Sequence, residues 1–191
     1  MTNQLFVILL IGLVVLVYVG LALANYIRMR GTRIITCPEN HEPAAVKVDA
    51  AHAAMTAVWE SPDIRLQTCS RWPEHEGCDQ GCTGQIAGSP ADTLAFEMLK
   101  KWYSDKSCAI CRRPIPPLQH VGPKPGMLNV ASPGHETLSW DEIPAEHLPA
   151  VFETHLAVCS SCQVAEAFRR QFPDLVLDRD RHSGTSGTSV H

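Results

Sequence analysis

Residues 5–24, LFVILLIGLVVLVYVGLALA, constrain this chain more than any other stretch, because they form a run of 20 residues without a charge. As an α-helix rising about 1.5 Å per residue, the run spans roughly 30 Å, the thickness of a bilayer's hydrocarbon core. It is apolar on every face, unlike a surface helix of a soluble domain. A cleaved signal peptide is the competing reading, with Ala22-Leu23-Ala24 as a cleavage site. Signal peptides start with a positive segment and carry a shorter apolar core. Here the run is long and MTNQ precedes it without a side-chain charge. The flank 25–33, NYIRMRGTR, holds Arg28, Arg30 and Arg33 and no acidic residue. Cationic residues beside a span stay on the cytoplasmic side. The sequence therefore predicts a transmembrane helix over 5–24 and a basic juxtamembrane segment over 25–33. The protein is expected in the cell membrane as a single-pass chain, its N-terminus outside and its C-terminal domain cytoplasmic.

That compartment bears on the eight cysteines. Cytosolic thiols stay reduced, so they read as metal ligands or redox groups rather than disulfides. With the three juxtamembrane arginines set aside, 13 Lys+Arg face 20 Asp+Glu, a net charge of −7. A nucleic-acid surface needs a basic face to neutralise phosphates, and this composition supplies none. Aromatic residues make up only 6% of the chain, which leaves room for metal ligation to contribute folding free energy.

Beyond the membrane segment the pattern predicts an α+β domain with two cysteine-rich units. The first, 34–104, reads as short strands at 34–37 and 45–48, a helix over 49–59 capped by Asp49, and a strand at 64–68. A second helix is expected from Ser89-Pro90 to about Tyr103, with Ser89 as its N-cap. The second unit, 105–173, reads as a Pro-rich link followed by a hairpin with strands at 127–130 and 137–140 and a turn at 132–135. A short helix near 145–154 and another over 164–172, stopped by Pro173, complete it. The tail 174–191 is polar and rich in Gly, Ser and Thr, which predicts disorder.

Two Cys-x2-Cys pairs lie in the second unit, Cys108/Cys111 and Cys159/Cys162, separated by 47 residues. A tight turn aims both sulfurs of such a pair at one point, and two pairs complete a tetrahedron. The second pair leads into a helix, whose N-terminal dipole favours thiolates. Covalent haem needs His after the second cysteine, whereas Arg112 and Gln163 stand there. Zinc, a rubredoxin-like iron, a redox dithiol and unliganded or disulfide-bonded cysteines all remain compatible with the spacing. CAICRRPI at 108–115, a hairpin, and CSSCQVAEAF at 159–168 at a helix start together resemble the treble-clef zinc finger. The resemblance covers about 65 residues and implies Zn2+ held by all four cysteines, with no particular partner. Arg112 stands where such a knuckle commonly has Gly.

The other four, Cys37, Cys69, Cys78 and Cys82, form a candidate second metal site of irregular spacing. His75 is able to replace one ligand, and an iron–sulfur cluster is the alternative occupant. His155, four residues before Cys159, would share a face with it on a helix, and a place beside the site or on the surface is expected rather than ligation. A complete four-thiolate site has no open position, and HExxH, GxSxG, P-loop and GxGxxG motifs are all missing. Catalysis is therefore not expected, and no small-molecule substrate is evident. The sequence predicts a membrane-anchored zinc protein that binds a protein partner. The alternative is a membrane-tethered electron-transfer protein carrying iron or an iron–sulfur centre.

Overall fold

The computed structural model describes residues 2–74, 77–130 and 136–175. Helix α1, Thr2–Met29, contains the apolar run. Within Gln4–Met29 an 18-residue window has a mean hydropathy of 3.1 and none of it is buried, so by length and composition the helix is able to cross a membrane. Met29 alone at its end is buried in the domain. Gly31, at φ +108°, then turns the chain into the first strand.

Strands β1 (Thr32–Thr36), β2 (Pro43–Val48) and β3 (Leu66–Cys69) form an antiparallel sheet in the order β1-β2-β3. Strand β1 is buried on both faces. Ile35 packs with Val46, Val48, Leu66, Cys82 and Ile86 in an N-terminal core. Ile34, facing the other way, joins Leu99, Tyr103, Met127 and Val158 in a C-terminal core. Helix α2, Ala50–Thr56, starts as predicted, with the Asp49 carboxylate accepting the His52 N–H at 3.0 Å. It ends three residues before Trp59, where Thr56 turns its hydroxyl back to the His52 carbonyl and accepts the Asp63 N–H.

Helix α3 (Thr83–Gly88) has no counterpart in the sequence prediction. Helix α4, Ala95–Tyr103, begins five residues later than predicted. Ser89 and Pro90 do not start it, because residues 90–94 are tied to β1. Leu94 forms a β-bridge with Arg33, and the Ile34 N–H donates to the Thr93 carbonyl at 2.7 Å. An extended Leu94 excludes a helix before Ala95. The apolar face of α4 packs in the C-terminal core, so α4 belongs physically with the second cysteine unit rather than the first.

Strands β4 (Gly126–Asn129) and β5 (Thr137–Ser139) form the expected hairpin, displaced by about a residue; its turn at 132–135 lies outside the described residues. Helix α5, Leu148–Thr154, follows. An unpredicted strand, β6 (His155–Val158), then pairs antiparallel with β4 and completes a sheet of order β5-β4-β6. Helix α6, Ser160–Gln171, starts four residues earlier than predicted. Arg170 pins its far end to the Glu136 carboxylate and the Thr137 carbonyl. Pro173 follows the helix end as expected, and the tail from 176 onward lies outside the described residues.

Arg33, the last of the three juxtamembrane arginines, does not face outward. It is fully buried. Its guanidinium donates to the Pro90 carbonyl, to Thr93 Oγ1 at 2.9 Å and to the Arg28 carbonyl at 2.7 Å. Burial, and then the Arg28 charge, lower its pKa, but a guanidinium stays charged. The last turn of α1, strand β1 and the approach to α4 are thus fastened by one side chain. Arg33→Met removes the shared donor of three buried or part-buried bonds and is expected to cost about 2–4 kcal/mol. Arg33→Lys, which keeps the charge but loses the fork, should cost less. Denaturant unfolding of the detergent-solubilised chain, followed by Trp fluorescence, measures both; a loss below about 0.5 kcal/mol for Arg33→Met contradicts this role.

Candidate metal centre

The first cysteine pair sits in a six-residue turn closed by a β-bridge between Ser107 and Pro114. The Cys108 N–H donates to the Arg113 carbonyl at 2.8 Å, and the Arg112 N–H donates to the Cys108 carbonyl at 2.9 Å. Arg112 adopts φ +63°, the left-handed conformation that glycine takes without strain. The turn forms despite a steric cost of about 1–2 kcal/mol. Arg112 and Arg113 are both exposed.

The second pair reaches the same place through β6. The Ala109 N–H donates to the Ala157 carbonyl at 2.9 Å, joining the knuckle edge to the strand. Two residues later Cys159 occupies the N-cap position of α6, with extended backbone, and its carbonyl accepts the Gln163 N–H. Cys159 and Cys162 therefore lie at the positive end of a helix dipole.

Gly126 allows this approach. A Cβ there would stand 2.4 Å from Gln163 Cγ, 2.9 Å from Gln163 Cβ and 3.1 Å from the Leu138 carbonyl oxygen. The first turn of α6 thus rests directly on the backbone of β4. Tyr103 secures the strand from the other side, its hydroxyl donating to the Gly126 carbonyl at 2.9 Å.

The four sulfurs of Cys108, Cys111, Cys159 and Cys162 lie within 4.8 Å of one another. Cys111 Sγ and Cys159 Sγ are 3.7 Å apart. Metal–sulfur bonds of about 2.3 Å in a tetrahedron place sulfurs about 3.8 Å apart. A disulfide requires about 2.05 Å. All eight cysteines are free thiols. The donor set fits a thiophilic ion bound by four thiolates, although the spacing does not name the metal.

The electrostatics of the cluster point the same way. Burial resists ionisation of Cys108, but N–H groups of Cys111, Cys159 and Ile110 aimed at its sulfur outweigh it and bring its pKa down to about 6. Burial raises Cys159, as do the Cys108 and Cys111 thiols. Burial, and then the Cys159, Cys111 and Cys108 thiols, push Cys162 up to about 12. One thiolate is welcome in this site and four are not, unless a cation lies between them.

His155 is not on a helical face with Cys159. It opens β6, and its Nδ1 contacts Thr154 Oγ1 at 2.8 Å. It lines a shallow cleft beside the knuckle together with Lys106, Cys108 and Arg112.

The remaining cysteines meet less closely. Cys37 follows β1, Cys69 ends β3, Cys78 lies in the loop before α3 and Cys82 occupies the N-cap position of α3. Among the described residues they do not form a group within 4.8 Å as the C-terminal four do. Burial first, with the Cys78, Cys69 and Cys37 thiols, pushes Cys82 up to about 11, so all three stand within electrostatic range of it. His75 lies outside the described residues.

Sequence reasoning missed β6 and Gly126, the two features that bring the halves of the centre together. The signals were faint: four residues of HLAV before CSSC, and one glycine after Pro125. Comparison with protein-family models, with curated proteins and with solved structures returned no match.

Cys108→Ser and Cys162→Ser should each lower bound metal and the melting temperature. Retention of native metal content and melting temperature in either variant excludes this ligand set. Gly126→Ala forces α6 from the sheet and is expected to destabilise by about 1–3 kcal/mol, read by denaturant unfolding.

Proposed function

We propose that this chain is a single-pass membrane protein whose cytoplasmic domain is built around a structural zinc and binds a protein partner at the membrane. The spacing of four sulfurs at the edges of a tetrahedron carries this reading. Four thiolates fill the coordination of zinc and leave no position for a substrate or an activated water, so the metal supports structure rather than catalysis. The order of parts supports a treble-clef-like arrangement, running from a knuckle through the β4–β5 hairpin to a second cysteine pair at the start of α6. Here α5 and β6 are inserted before the second pair.

Several features support the membrane placement. No residue of the most apolar 18-residue window of α1 is buried by the protein. Arg28 and Arg30 are exposed just past the apolar run, as befits the cytoplasmic end of a span. Trp59, three residues past α2, lies 5.9 Å from the Tyr18 ring on α1.

Helix α6 supplies the partner surface. It buries none of its own side chains, and Val164, Phe168 and Phe172 form an exposed stripe at helical spacing. The two phenylalanine rings are 5.0 Å apart. A rigid aromatic pair on a helix held to a metal centre suits an apolar groove on another protein.

Metal analysis and an absorption spectrum of the full chain, purified in detergent under reducing conditions, test the metal. Stoichiometric zinc in a colourless protein is expected; iron with a visible charge-transfer band supports the electron-transfer alternative instead. A reporter fused to the C-terminus should report cytoplasm, and an exported signal overturns the orientation. A photo-crosslinking residue placed at 168 should give one discrete adduct in cells that Phe172→Asp abolishes. A smear unaffected by that change rejects α6 as the surface.

A further inference from the structure

The tip joining β1 to β2 repeats the turn that carries the first two ligands of the C-terminal centre. In residues 37–42 the Cys37 N–H donates to the Glu42 carbonyl at 2.9 Å, and the His41 N–H donates to the Cys37 carbonyl at 2.9 Å. In residues 108–113 the same two bonds join Cys108 to Arg113 and Arg112 to Cys108, at 2.8 and 2.9 Å. The fifth residue is left-handed in both, His41 at φ +58° and Arg112 at φ +63°. Neither is glycine, so both turns form against the same steric preference. Cys37 therefore stands where Cys108 stands, and Asn40 stands where Cys111 does. The Asn40 side chain is held within the turn by Glu42, through its amide to the carboxylate at 2.8 Å and its oxygen to the Glu42 N–H at 3.1 Å. This knuckle offers one thiol instead of two.

Three other segments bring the remaining thiols to it. Cys69 ends β3 opposite Val46, and the chain continues along β2, with the Ser70 N–H donating to the Ala45 carbonyl and Arg71 reaching Glu42 in the knuckle itself. Helix α3, with Cys82 at its N-cap position, is clamped to the end of β1 by Gln85, whose side-chain amide bonds both the N–H and the carbonyl of Thr36. Gly81 lies against Pro38, next to Cys37. The Cys78 sulfur accepts the Gln80 N–H at 3.4 Å. An N–H two residues on, aimed at sulfur, also marks the ligand turn at Cys108. Cys82 is buried in the N-terminal core, while Cys37, Cys69 and Cys78 remain half-exposed around it. A small apolar core residue explains Cys82 alone, and not three half-exposed cysteines gathered about it.

We infer that Cys37, Cys69, Cys78 and Cys82 are the ligands of a second metal site, taking a divalent thiophilic ion of the zinc class. Their sulfurs stand farther apart than those of the C-terminal centre, so binding draws them inward onto the ion. The N-terminal sheet then has a metal clamp at its open end, as the C-terminal sheet does.

Cobalt(II) is a suitable probe, because thiolate-bound cobalt gives charge-transfer and ligand-field bands that count sites. The full chain in detergent, stripped under reducing conditions, should take up two equivalents with these bands. Cys37→Ser with Cys78→Ser should leave one equivalent, and so should Cys108→Ser with Cys162→Ser. A single equivalent in the wild type, unchanged by the first pair of substitutions, overturns the proposal. A second measurement needs no variant. In the metal-loaded wild type, Cys37, Cys69 and Cys78 should resist alkylation by iodoacetamide until a chelator is added, as read by mass spectrometry. If these three alkylate at the rate of free thiols while Cys108 and Cys162 stay protected, the second site is rejected and the C-terminal centre stands. The reverse protection pattern supports the second site and rejects the first.

Discussion

Four thiols converging within 4.8 Å cannot all ionise without a cation among them, and this constraint organises the C-terminal half of the molecule. The Cys108 site welcomes one negative charge, since three backbone N–H groups point at its sulfur. Cys162 in the same cluster is driven up to about 12 by burial and by its neighbours. A divalent ion removes that conflict and turns mutual repulsion into shared attraction. Because its ligands come from distant points of the chain, the free energy of metal binding becomes free energy of folding. The knuckle, β6 and the first turn of α6 converge at this cluster. Through Gly126, the same contact fixes α6 on the sheet.

The centre is mechanically continuous with the apolar helix. Strand β1 sends Ile34 into one core and Ile35 into the other, so the two cores are joined by a strand rather than by a loop. Arg33, between them and the end of α1, ties the helix C-terminus to the segment before α4. Carbonyls at a helix C-terminus carry partial negative charge, which helps a buried guanidinium that has no carboxylate partner. Helix α4 then carries Tyr103 to the carbonyl of Gly126, beneath the metal centre. A chain of packed, hydrogen-bonded residues thus runs from the base of α1 to the four sulfurs.

Much of this was legible from local chemistry. The two Cys-x2-Cys pairs announce a shared site, because each turn aims two sulfurs at one point and two such pairs complete a tetrahedron. Asp49 announces α2, because a carboxylate at an N-cap acts on the next turn alone. The hairpin shows in two short strands set about a Ser-Pro-Gly-His turn signal. What stayed hidden depends on distant partners. Ser89-Pro90 has the chemistry of a helix start, yet pairing of Leu94 with Arg33 overrides it. Arg33 looks like a membrane-surface charge until the carbonyls around it are known. HLAV at 155–158 is too short to declare itself a strand before β4 is placed beside it. The 37–42 turn shows no second cysteine, so its likeness to 108–113 emerges only from matching hydrogen bonds and a matching left-handed residue.

X-ray absorption at the metal edge tests the central claim most directly, using the full chain purified in detergent under reducing conditions, with Cys37 and Cys78 replaced by Ser so that one centre is read. The account predicts a zinc edge and a first shell of four sulfurs at about 2.3 Å, with no lighter scatterer. A shell containing nitrogen or oxygen, or the absence of any bound metal, contradicts it.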